Sequence, residues 1–282
     1  MASNESTKKI LQPDIPAFVQ TRSINADLHY HRKTSSNMKG TFNSTIDTAQ
    51  KRLGPGGLLA LVNFQDSRYE RFSEEAGYER KKFGNAIYVP QKDILVIRGQ
   101  EIPTKEGHIL VLGLNRGNHL KSGRPLLDTL NEAVDNNGIT VADHPFYVEG
   151  IGPFLAENYK DTIECLDAIE GYNSQASLYI PGLTTANANK EAQLAYNFIQ
   201  HNAQHLGFIS VSDGHSLSEL GRSYTTLQMP HYEDIKNGYT LRNNLREAIR
   251  KSKPQNCIMK PAKFGALCHL GALAVLAARS KL

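Results

Sequence analysis

Short apolar runs and helix-period segments take turns along the chain from Ile24 to Ser212, and this alternation limits the fold more than any single motif. The runs are INADLH (24–29), GLLALVN (57–63), AIYVPQKDILVIRG (86–99), HILVLGLN (108–115), GITVAD (138–143), CLDAIEGYN (165–173) and LGFISVS (206–212). Helix periodicity predicts Phe42–Leu53, Pro125–Asn136, Pro153–Glu164 and Ala188–His205. Thr41 or Asn43 is placed to cap the first helix, and the glycines at 54–57 end it. Strand and helix in alternation predict a parallel sheet covered by helices, either open or closed into a barrel.

In such sheets ligands gather at the carboxyl ends of the strands. Those ends carry an unusual amount of chemistry here. His29 and His31 are one residue apart, so on an extended strand they face the same way. Glu101 follows the third run and His108 opens the fourth. Asp143 and His144 end the fifth, Glu170 and Asn173 the sixth, and Asp213 and His215 the seventh. Mixed imidazole and carboxylate donors suit zinc, manganese or iron, whereas calcium and magnesium prefer oxygen alone. A carboxylate such as Glu101 can bridge two ions. Bridged ions lower the pKa of a held water, and the resulting hydroxide can attack phosphorus in line.

The stretches ADLHYHR, RGQEI, GHILVLGL, ADHPF, IEGYN and SVSDGHSLSELGRSYT fall in the order and style of one family. Over residues 24–230 the chain resembles the PHP (polymerase and histidinol phosphatase) family of metal-dependent phosphoesterases. The last stretch is the most specific, because the family's Ser-Asp-x-His is commonly followed by a helix turn and Gly-x-x-Tyr-Thr. The resemblance implies a distorted (β/α)7 barrel, a TIM-like fold, with metals at its C-terminal rim. It implies a first metal site from His29, His31, Glu101 and Asp213, with Glu101 bridging. The second would use Glu101 and His108 with His144 or Asn173, and His215 would serve a third.

Two departures bear on that third ion. Ser36 or Asn37 stands where the family has an aspartate, and Phe64 or Gln65 where it has a histidine. Two ions per chain (manganese, zinc or iron) are therefore expected, and His215 is released to act as general acid or phosphate contact. Arg222, one turn beyond His215, is the expected bidentate partner of a substrate phosphate.

The resemblance thus implies hydrolysis of a phosphomonoester or nucleotide-like phosphate ester. The alternative is a non-catalytic module that binds a phosphorylated ligand at a degenerate metal site. The net charge of +4, from 32 basic and 28 acidic residues, is too mild to argue for nucleic acid, so a small phosphorylated substrate is expected. Cys165, Cys257 and Cys268 form no disulfide or zinc pattern, which points to a reducing, cytoplasmic setting. The polar stretch 1–23 reads as an arm without a signal-peptide core, residues 24–230 as the barrel, and 231–282 as a C-terminal helical extension. The Ala-rich run Phe264–Ala278 is shorter than the roughly 20 residues a membrane span needs. It is expected to pack on the barrel or on a second copy of the chain.

Overall fold

The structure is a computed structural model that describes residues 20–32, 41–64, 67–179, 181, 184–235 and 237–262. The expectations for most of the N-terminal arm, for Ser36, Asn37 and Gln65, and for the Ala-rich tail lie outside the described residues.

In chain order the elements are β1 (Thr21–His31), α1 (Phe42–Leu53), β2 (Gly57–Asn63), α2 (Ser67–Glu74), β3 (Lys81–Phe83), β4 (Ala86–Val89) and β5 (Ile94–Pro103). They continue with β6 (His108–Leu112), α3 (Leu126–Asp135), β7 (Ile139–Ala142), α4 (Gly152–Ile163), β8 (Ala168–Asn173), α5 (Ala188–Ile199) and β9 (Gly207–Val211). The last are β10 (Tyr224–Pro230), α6 (Gly238–Arg250) and β11 (Cys257–Ile258). The side chain of Thr41, not Asn43, caps α1 by accepting from the Ser44 amide. Gly54 ends it at φ 79, a left-handed conformation that glycine adopts without a Cβ clash.

Strands β1, β2, β5, β6, β7, β8 and β9 follow one another around a nearly closed, barrel-shaped sheet. The seam is a parallel bridge between Tyr30 and Gly214, where the His31 amide donates to the Gly214 carbonyl at 2.8 Å. This is the expected distorted TIM-like barrel, and the distortion has a specific source. β6 runs antiparallel to both β5 and β7, so a hairpin replaces one strand–helix–strand crossover. The sequence run 86–99 also splits, because β4 folds back on β5 as a second hairpin turning at Pro90–Asp93.

Apolar residues of alternate parity divide the core. Ala26, Leu28, Leu58, Ala60, Leu110 and Val211 share one buried cluster with Leu241, Leu245 and Ile249 of α6. Leu59, Leu61, Ile94 and Val96 pack instead with Phe42, Ile46 and Ala49 of α1. β1 breaks its own alternation at a bulge between Asp27 and Tyr30. Leu28 stays in the first cluster while Tyr30 joins the second. This phase shift brings His29 and His31 to the rim beside the interior. Among the described residues, no helix is long and apolar enough to cross a membrane.

Candidate metal centre

The strand ends converge on Glu101, which is 3 % exposed. Its Oε2 lies 2.9 Å from His31 Nε2, and its Oε1 lies 2.6 Å from His108 Nδ1 and 3.5 Å from His144 Nε2. His108 reaches this point from the first position of its strand because β6 is reversed, so that strand's start lies at the rim where its parallel neighbours end. Glu149 lies 3.1 Å from the outer nitrogen of His108.

On the β1 side, the Nε2 atoms of His29 and His31 sit 2.9 Å apart. Each is 3.6 Å from Asp213 Oδ1. The inner nitrogen of His29 faces Glu170 at 2.8 Å and Asp143 at 3.2 Å. Glu170 is a junction: its second oxygen accepts from the His144 amide at 3.0 Å and from Asn173 Nδ2 at 2.9 Å. The backbone is strained at two of these residues, with φ of 22° at His144 and 46° at Asp213. Such conformations persist where surrounding contacts hold them, and here they aim side chains into the cluster.

Burial and charge set the protonation of the group. Burial alone would drive protons off His29 and His144, but the carboxylates outweigh it. His29 is held well above the ordinary histidine range by Asp143, Asp213 and Glu170, and His144 is raised to about 10 by Asp143 and Glu101. Burial also opposes ionisation of Glu101, yet hydrogen bonds from His108, His144, His29 and His31 hold its carboxyl well below the usual range. Asp143 goes the other way: burial pushes it up to about 7, with partial relief from His144 and His29.

Asp143 supplies a test of fit for a cation. Both its oxygens are buried without a hydrogen-bond donor, although His29 and His144 stand at ion-pair distance. A buried carboxylate without a hydrogen-bond donor is costly, and a divalent ion is one partner that removes the cost. The donors fall into three overlapping sets, each with ligand atoms within 4.8 Å of one another: Glu101, His108, Asp143 and His144; His29, His31 and Asp213; His29, Asp143 and Glu170. Nitrogen and oxygen donors in these numbers suit transition-type divalent ions.

The structure brings His29, His31, Glu101, His108, His144 and Asp213 together. Asn173 is present in another posture. Its amide nitrogen donates to Glu170 and, at 3.2 Å, to Asp213, while its oxygen accepts from the amides of Gln175 and Ala176. That oxygen is already committed, so the expected ligand is corrected to a brace between two carboxylates. His215 lines the same pocket and lies outside the three converging sets. Its ring nitrogen Nδ1 donates to the Asp213 carbonyl at 2.9 Å, and its ring stacks on His31 with centroids 4.7 Å apart. Phe64 lines the same pocket.

Arg222 is also corrected. It is not among the pocket's lining residues, and its Nε donates to the Pro261 carbonyl. Arg222→Ala is therefore expected to change phosphate-ester turnover by less than about threefold, as an exposed polar contact does. Steady-state kinetics of the variant checks this. Two other basic side chains are engaged elsewhere: Arg32, just past the end of β1, forms a fork with Glu75, and the buried Arg98 of β5 donates to carbonyls of Leu114, Asn115 and Asn118. Sequence reasoning left Asp143 and Glu170 out of the ligand set, although both stood at strand ends. Their burial is the signal that admits them, and sequence does not display it.

No protein-family model matches the sequence, and no curated protein matches it. Solved structures do match in fold. PsfC from Pseudomonas syringae PB-5123 matches with a TM-score of 0.57 at 13% identity, covering 92% of this chain and 99% of its own. The lesion-specific endonuclease PfuEndoQ from Pyrococcus furiosus matches with a TM-score of 0.52 at 14% identity, covering 83% of this chain and 57% of its own. Endonuclease Q in complex with a 27-mer duplex carrying an abasic lesion gives 0.53 at 15% identity, with 83% and 58% coverage. The chain therefore spans less than two thirds of the endonuclease Q chains. At these identities the likeness is one of fold.

Proposed function

We propose that this chain is a metal-dependent phosphoesterase of the PHP type, acting on a phosphomonoester or nucleotide-like phosphate ester. The observation that carries the reading is Glu101, a buried carboxylate within 3.5 Å of His31, His108 and His144. The fold shared with PsfC and endonuclease Q supports it, as does the order of motifs in the sequence.

We assign one cation to His29, His31, Glu101 and Asp213, and a second to Glu101, His108, His144 and Asp143. Divalent cations held there would offset charge on the phosphoryl oxygens and make a water more acidic. The remaining work falls to the chain. Glu170 fixes the His29 ring through its inner nitrogen, so the outer one stays aimed at the cluster. The Asp213 carbonyl holds the Nδ1 proton of His215, which sets that ring's tautomer at the pocket wall. As water adds to phosphorus and the ester P–O bond breaks, His215 in its imidazolium form, with Nδ1–H held by the Asp213 carbonyl, is the group we assign to give its Nε2 proton to the departing alkoxide, a proton of the attacking water then passing to the vacated nitrogen. The solved endonuclease Q complex holds a 27-mer duplex substrate with an abasic lesion at its active site; among the described residues here, Arg32 and Arg98 are engaged by internal partners.

The expected behaviour is turnover of p-nitrophenyl phosphate that a chelator abolishes and added manganese or zinc restores. A rate indifferent to chelation, or no turnover with any divalent metal, contradicts the proposal.

A further inference from the structure

His108 faces a second carboxylate that neither proposed cation uses. Its inner nitrogen, Nδ1, lies 2.6 Å from Glu101, and its outer nitrogen, Nε2, lies 3.1 Å from Glu149. A neutral imidazole offers a lone pair from one nitrogen while the other carries the proton. A carboxylate on the outer side accepts the hydrogen bond from that proton and holds it on Nε2. Nδ1 is then the donor that faces the cluster.

The backbone brings Glu149 to this place. The chain leaves the cluster at His144 and returns at Glu149, where the His108 amide donates to the Glu149 carbonyl at 2.6 Å. His108 and Gly150 form a parallel bridge there. Within the loop, the Tyr147 amide donates to the His144 carbonyl at 2.8 Å, and the Gly150 amide to the Tyr147 carbonyl at 3.1 Å. Glu149 has φ of 58°, a left-handed conformation that a residue with a side chain keeps only where contacts impose it. Gly107, at φ 139°, has no Cβ to strike the Glu149 carbonyl, which would lie 2.7 Å from it. Two ligands assigned to the second cation, His108 and His144, are thus joined by one short loop. Its Glu149 side chain reaches the far side of the His108 ring.

A surface ion pair is the simpler account, since the Glu149 side chain is 67% exposed and exposed pairs add little stability. Two observations set Glu149 apart from a solvated acid. Its carboxylate meets a histidine whose other nitrogen is already engaged by the buried Glu101, and its backbone is held against the same histidine. We infer that Glu149 is a positioning residue for the second cation. It fixes the tautomer and ring of His108, and so sets the affinity of the site built from Glu101, His108, His144 and Asp143. The first site touches His29, His31 and Asp213 instead and does not depend on it. The inference rests on the two-cation reading above.

The test titrates the full-length chain, stripped of metal by a chelator, with manganese and follows free ion by electron paramagnetic resonance. The parent protein is expected to take up two ions. Glu149→Ala is expected to weaken one of them by at least about tenfold, the lower end of what losing such an outer partner costs, and to leave the other within about threefold. Glu149→Gln keeps a side-chain carbonyl that accepts from Nε2–H, so both ions are expected to stay within about threefold of the parent. The backbone bond from His108 survives in both variants, so the comparison isolates the side chain. Circular dichroism confirms that both fold. Unchanged binding of both ions in the alanine variant, or equal weakening of both, overturns the inference. So does a glutamine variant as weak as the alanine one, which would assign the effect to charge and not to the held proton. A parent protein that takes up fewer than two ions removes the two-cation reading, and the inference with it.

Discussion

Glu101→Gln is expected to lower the proposed turnover of a phosphate ester by at least about 100-fold while leaving the fold intact. That magnitude exceeds the 10- to 100-fold typical of residues one step removed from a metal, because Glu101 stands at the centre of the cluster. The substitution preserves volume but removes the charge that His31, His108 and His144 surround. It also replaces one anionic oxygen with an NH2 that has no lone pair to offer a cation. Both proposed cations share this residue, so metal content falls along with rate. Steady-state kinetics and circular dichroism on the same preparation make the comparison. A variant that retains activity within about threefold would remove Glu101 from the centre of the mechanism.

The second large effect is expected at a residue that touches no proposed metal. Asp27 is fully buried, and its carboxylate accepts from the Ser212 amide at 3.0 Å, the Ser212 hydroxyl at 2.6 Å and the Gly221 amide at 2.7 Å. These bonds fasten β1 to the loop that carries Asp213 and His215. Asp27→Ala leaves the buried amides of Ser212 and Gly221 without a partner and the Ser212 hydroxyl with only the His29 carbonyl at 3.3 Å, and is expected to cost roughly 3 kcal/mol of stability. Urea unfolding measures it directly. Asp27→Asn keeps the shape but places NH2 against a donor, so it should lose less stability and still weaken metal binding by misplacing Asp213. A loss below about 0.5 kcal/mol for the alanine variant would show that the loop is held by other means.

Much of the site was legible because function and topology share a coordinate: residues at strand ends meet in space. His29, His31, Glu101, His144 and Asp213 needed only that rule. His108 satisfied it for a different reason, since it starts a strand that runs backwards, and nothing in HILVL declares direction. The bulge after Asp27 was equally hidden, although without it the two histidines would alternate with Leu28 on the wrong parity. β10 is hidden because Tyr224–Pro230 mixes Thr225, Thr226 and Gln228 with apolar residues and its main partner, β1, is far away in sequence. Arg222 failed as a phosphate ligand for a similar reason: its acceptor, the Pro261 carbonyl, is contributed by a segment the local motif does not contain. Asn173 shows the limit of reading residue type, since its oxygen was spent within three residues of itself.

The central claim is that the Glu101-centred cluster holds divalent cations. Elemental mass spectrometry of the purified, extensively dialysed protein addresses it most directly, with Glu101→Gln as the internal comparison. The account predicts two transition-type ions per chain in the parent protein and a clear loss in the variant. A parent protein that stays metal-free after incubation with manganese, zinc and iron would contradict it.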